Sequence, residues 1–317
     1  MRKEKITFKG IWQVIKDTFK GFSQHKVTKL SGSLAYYTVF SMGPLLVVII
    51  ALCGLFLQRE AIENEIYLIL EGFVGSDTAM QLQEIIKNAG VGNKSAVAAI
   101  IGVITLLIGA TTVFAEIQDS INTIWGLKAK PKRGLVKLLL NRFLSFSVII
   151  SLGFLLLVSL TVTGVIESLS ARLQARFPDV TVVLFYLINL VLTIVICTLI
   201  FGVIFKVLPD ARIRWKDVLA GAFITTLLFM IGKFGISLYI SQTKVGSTYG
   251  AAGSLVILLL WVYYSSIILY IGAVFTKAYA VRYGDAIHPN DYAVTTKEIT
   301  VEAGKQTIQE NEDMSAP

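Results

Sequence analysis

The chain has 317 residues, 55% of them hydrophobic and 16% charged, with a mean hydropathy of +0.70. A soluble globular domain carries about 25% charged residues, so this composition excludes one and points to an integral membrane protein. The net charge of +8 would suggest nucleic acid in a soluble chain, but here the basic loops lack aromatic interleaving, so no nucleic-acid partner is expected and membrane lipids are.

The first 30 residues hold eight Lys or Arg and lack the apolar core, about 7 to 15 residues long, of a cleavable signal peptide. The first span is therefore expected to serve as an uncleaved targeting signal. Within residues 1–30, Ile6, Ile11, Val14, Ile15, Thr18, Phe19 and Phe22 recur at roughly helical spacing with lysines opposite. This predicts a basic amphipathic helix on the membrane surface. An apolar run of about 20 residues is long enough to cross the hydrocarbon as a helix. Six such runs predict an all-α, polytopic fold with spans near 34–57, 96–115, 143–166, 180–205, 218–241 and 254–275. Together they form one membrane domain over residues 31–283. Pro44 lies near the middle of the first span and removes a backbone donor, so a kink or a broken helix is expected there. Residues 58–94 are acidic and read as short amphipathic helices outside the bilayer. The hydrophilic residues 284–317 read as a disordered cytoplasmic tail.

Lys and Arg concentrate on the cytoplasmic side of membrane proteins. Residues 1–30, 128–142, 206–216 and those after 276 hold 8, 6, 4 and 4 of them, or 22 of the 29, which predicts that both termini are cytoplasmic. Cys53 and Cys197 both fall in apolar runs and read as small hydrophobes.

Lys233 is the only charge in the 218–241 run. A lysine at the bilayer centre costs about 2.5 to 3.5 kcal/mol on insertion scales, so such residues usually face a cavity or a partner. Snorkelling to the outer interface is the bland alternative. The flexible Tyr249, Gly250 to Gly253 turn follows, and with Tyr36 and Tyr37 it completes a candidate substrate-binding set around Lys233. An interfacial aromatic belt would equally explain the tyrosines. Glu116, Asp119 and Asn122 recur every three residues on one helix face. They read as a solvated face or, with Pro44, as a polar gate. His25 and His288, the only histidines, lie in opposite tails, so no His-rich metal site and no Ser-His-Asp triad is expected. No P-loop or dinucleotide fingerprint is present. Neither an enzyme nor a cofactor is expected; a homo-oligomer is compatible with the sequence.

Four stretches carry a resemblance: Ser33 to Leu46 (SLAYYTVFSMGPLL), Gln118 to Trp125 (QDSINTIW), Tyr249 to Val256 (YGAAGSLV) and Leu260 to Tyr264 (LWVYY). In these the chain resembles the YihY/BrkB family of bacterial inner-membrane proteins, over about residues 10–283. The resemblance implies a six-helix, multi-pass protein of the cytoplasmic membrane, closer to a transporter of envelope lipids or other solutes than to the ribonuclease label that members have carried. Members commonly have Gly-Ala-Glu near the end of the last span, whereas here Val274 follows Gly272 and Ala273. The resemblance then implies that Lys233 is balanced by Glu116, a backbone carbonyl, water or an anionic ligand. The sequence thus suggests a transporter-like protein for an anionic, amphipathic solute, with a partner-recruiting membrane scaffold as the alternative.

Overall fold

The computed structural model describes residues 7–53, 112–129, 178–243, 253–284, 287–290 and 293–296. They form helices α1 (Phe8–Gln24), α2 (Val27–Cys53), α3 (112–125), α4 (Pro178–Val207), α5 (Trp215–Thr243) and α6 (Gly253–Tyr283). Four short strands accompany them: β1 (Leu127–Ala129), β2 (Ala211–Arg212), β3 (His288–Pro289) and β4 (Ala293–Thr295). Among the described residues three stretches are long and apolar enough to cross a membrane: Val183–Val207, Trp215–Ile236 and Leu255–Tyr283. They correspond to the fourth, fifth and sixth predicted spans. The second span, up to residue 111, and the whole of the third lie outside the described residues. α2 runs through Pro44 as one helix, so the expected break is not there. One missing N–H removes one ladder bond, which the bonds on either side can outlast.

α5 and α6 are interlocked by the same five-residue pattern, Gly-x-x-x-Thr, at Gly221–Thr225 and Gly272–Thr276. A Cβ on Gly221 would overlap the Thr276 hydroxyl, and a Cβ on Gly272 would overlap that of Thr225. The crossed pairing makes the helices antiparallel. Each threonine also donates to its own helix four residues back, Thr225 Oγ1 to Gly221 O and Thr276 Oγ1 to Gly272 O, both at 2.7 Å. Small residues bring the backbones close, and the hydroxyls are satisfied without water, which suits a helix pair in lipid. α4 packs on the adjoining face of α5, where Thr198 Oγ1 donates to Thr226 Oγ1 at 3.2 Å and Phe201 meets Phe229 edge-on at 5.8 Å.

At one end of this bundle the connections meet. β1 pairs antiparallel with β4, and β2 with β3, so residues after α6 close over both the stretch following α3 and the α4–α5 connection. This corrects the expectation of a wholly disordered tail: residues 287–290 and 293–296 are ordered, because the loops they reach offer unpaired backbone groups. α3 ends at Gly126, whose φ of +71° is the left-handed cap conformation. Its carbonyl accepts from Thr296 N at 2.7 Å, and a Cβ there would lie 3.1 Å from Thr296 O. A Gly126→Ala variant should therefore lose about 1 kcal/mol, read as a lower melting temperature in detergent.

α1 departs from its predicted arrangement. Thr7 caps it, accepting from Gly10 N at 3.2 Å. Its buried face is Gly10, Val14, Thr18 and Gly21. Gly10 lies against the Tyr283 hydroxyl, and a Cβ on Gly21 would come within 2.7 Å of Val274 Cγ1. Contacts at 10 with 283 and at 21 with 274 lay α1 antiparallel along the end of α6. The apolar residues read as one membrane-facing stripe therefore divide: Val14 and Thr18 turn inward, while Ile11 and Phe19 are exposed. Lys26, in the left-handed region at φ 49°, makes the corner into α2.

Candidate functional site

The most elaborate polar site lies where α3, the α4–α5 connection and the tail converge. Asp210 follows Pro209, which helps end α4, and is 1% exposed. Gln118 Nε2 donates to Asp210 Oδ1 at 2.9 Å and Asn122 Nδ2 donates to Oδ2 at 3.0 Å. The Asp210 N–H donates to Asn122 Oδ1 at 2.9 Å, and its carbonyl accepts from Asn290 N at 3.0 Å. A buried carboxylate is costly unless its lone pairs are occupied, and here two amides one helical turn apart on α3 occupy both oxygens. Asp210 thereby ties three stretches far apart in sequence.

Two further bonds fix α3 to α6. Trp125 Nε1 donates to Ala273 O at 3.0 Å, and Lys277 Nζ donates to Ile124 O at 2.6 Å. The lysine meets the carbonyl end of α3, where the helix dipole favours a cation. About one turn farther along both helices the buried Tyr270 hydroxyl lies beside that of Ser120, though neither makes a hydrogen bond of standard geometry. Ile121, Ile124, Phe205, Leu208, Val218 and Tyr270, all at most 2% exposed, form the apolar core underneath.

The predicted polar face of α3 is split by this arrangement. Asn122 is buried on Asp210, Asp119 is exposed and Glu116 is half-buried, with both carboxyl groups near Tyr270. The fully solvated reading therefore fails for Asn122, because its amide complements Asp210.

Lys233 is exposed on α5. It extends the stripe Ala222, Thr226 and Phe229 that faces α4, and Cys197 of α4 lies within its electrostatic reach. With 18 residues separating it from Trp215, it stands about 27 Å along the helix. Val274 packs against Gly21 of α1, so position 274 faces α1. Tyr36 and Tyr37 are exposed on α2, their rings packed on each other at 5.5 Å and Tyr36 on Phe40 at 4.6 Å. Gly253 is buried at the start of α6. Tyr249 and Gly250 lie outside the described residues, as does the Pro44 side chain. No described contact joins Tyr36, Tyr37 or Gly253 to Lys233. No group of three His, Cys, Asp or Glu among the described residues is placed to hold a metal ion.

The model of the family described as "Virulence factor BrkB" matches residues 18–293. The chain is 28% identical to a "UPF0761 membrane protein" of Alteromonas mediterranea, over 86% of this chain and 91% of that one. It is 26% identical to another protein of that description from Pseudoalteromonas atlantica, over 83% of this chain and 85% of that one. No solved structure matches. With most of its length matched and several helices able to span a bilayer, the chain is a membrane protein of the bacterial cytoplasmic membrane and belongs to the BrkB family.

Proposed function

We propose that this is a six-span, transporter-like protein with both termini in the cytoplasm, in which Lys233 holds the acidic group of an envelope lipid or another anionic, amphipathic solute. In support of the topology, parts of all four stretches expected inside, which carry 22 of the 29 Lys and Arg, gather at one end of the described structure. The observation that carries the solute reading is the exposure of Lys233 on a helix long and apolar enough to span. An acidic headgroup would offset the cost of a cation at that depth.

Native mass spectrometry of protein purified with its lipids tests this. A Lys233→Met variant should retain about tenfold less anionic lipid, the loss of one charge-assisted contact, and Lys233→Arg should keep most of it. Retention that falls no further in Lys233→Met than in Gln242→Ala, an exposed change at the end of α5, would remove the role. The alternative, a scaffold that recruits partners through its amino-terminal helix and tail, draws on the exposed Phe8, Trp12 and Phe19 of α1 and predicts no response to Lys233→Met.

A further inference from the structure

α1 presents three sectors when its residues are placed about 100° apart around the axis. Gly10, Val14, Thr18 and Gly21 are buried, and Gly10 and Gly21 meet α6. The next sector holds Phe8, Ile11, Trp12, Ile15 and Phe19, of which Phe8 is 89%, Phe19 73% and Trp12 61% exposed. Beyond it come Lys9, Lys16 and Lys20, all exposed, with Asp17 the one acidic residue of the helix, accepting from Gln13 Nε2 at 3.2 Å. A row of large exposed apolar side chains signals a partner. Here the row lies between a membrane-competent helix on one side and a row of cations on the other.

We infer that α1 binds an anionic phospholipid of the bilayer, its acyl chains along Phe8, Trp12, Ile15 and Phe19 and its headgroup against Lys9, Lys16 and Lys20. Two observations select lipid over a protein. α1 is fastened to Val274, at the end of the span read at 254–275, and to Tyr283 eight residues beyond it, so its free face lies at the membrane boundary, where α6 leaves the bilayer. The cation row borders the apolar row along the whole length of the helix, the order in which a phospholipid presents phosphate and chain. The inference stands independently of Lys233.

Fluorescence of the full chain reconstituted in vesicles tests it, the Trp12 component being the emission that Trp12→Phe removes. In acyl-brominated phosphatidylglycerol that component should fall about threefold or more and be shielded from aqueous acrylamide. The triple variant Lys9→Gln, Lys16→Gln, Lys20→Gln should recover about half of the lost emission, and in brominated phosphatidylcholine it should change nothing. Emission that acrylamide reaches and bromolipid does not would overturn the inference in favour of a solvent-facing helix. Emission that neither quencher reaches would overturn it in favour of a protein partner. Equal quenching of the triple variant and the parent in phosphatidylglycerol would overturn the role of the lysines.

Discussion

Gly221→Ala is expected to destabilise the α5–α6 hairpin by about 2 to 3 kcal/mol. The added Cβ overlaps Thr276 Oγ1 and lies 2.7 Å from Thr276 Cβ and 3.1 Å from its Cα. A rotamer change clears only the first of these contacts, so the helices themselves must separate. Moving the glycine to the other helix, with Gly221→Ala and Thr276→Gly together, removes both side-chain overlaps and should restore part of the loss. The check is the melting temperature of the single and double variants in the same detergent. A single variant that melts with the parent would show that the two Gly-x-x-x-Thr patterns do not set the approach of these helices.

The second large effect is expected at Asn122. Asn122→Ala deletes a donor to Asp210 Oδ2 and the acceptor for Asp210 N–H in one change, leaving a buried carboxylate and a buried amide each short of a bond. The expected cost is about 3 kcal/mol. Asn122→Asp keeps the shape but sets a second carboxylate against the first, and should cost at least as much. Because Asp210 O also accepts from Asn290 N, the damage should spread to the tail. Limited proteolysis should cut residues 287–296 faster in either variant. Unchanged melting and unchanged tail protection would mean that Asp210 is not the tie between α3 and the tail.

The helices were the legible part of this chain, since continuous apolarity over about 20 residues survives any detail of packing. α4 and α5 extend only two or three residues beyond the spans read at 180–205 and 218–241. α6 runs eight residues past 275 because Lys277, which ends the apolar run, bonds Ile124 O and so stays within the folded body. Asp210 was not legible: its partners are 88 and 92 residues away, and no local period marks it. The available signal was Gln118 and Asn122, two amides one turn apart beside the apolar Ile117, Ile121 and Ile124, which need a buried polar partner. The strands at 288–289 and 293–295 are too short to show alternation, and their pairing depends on loops from elsewhere in the chain. The amphipathicity of α1 was visible, but its division into a protein-facing and an exposed apolar sector follows from Gly10 and Gly21, whose small size matters only because α6 is beside them.

The measurement that bears most directly on the proposed function is a structure of the full chain in a lipid nanodisc, resolved well enough to show side chains and bound lipid, and read at Lys233 beside Cys197. The proposed role of Lys233 requires an opening along the α4–α5 seam, filled by water or by an acidic headgroup within hydrogen-bonding distance of Lys233 Nζ. A tightly packed bundle that leaves Lys233 no such opening, with the ammonium reaching only the outer headgroup layer, would contradict it.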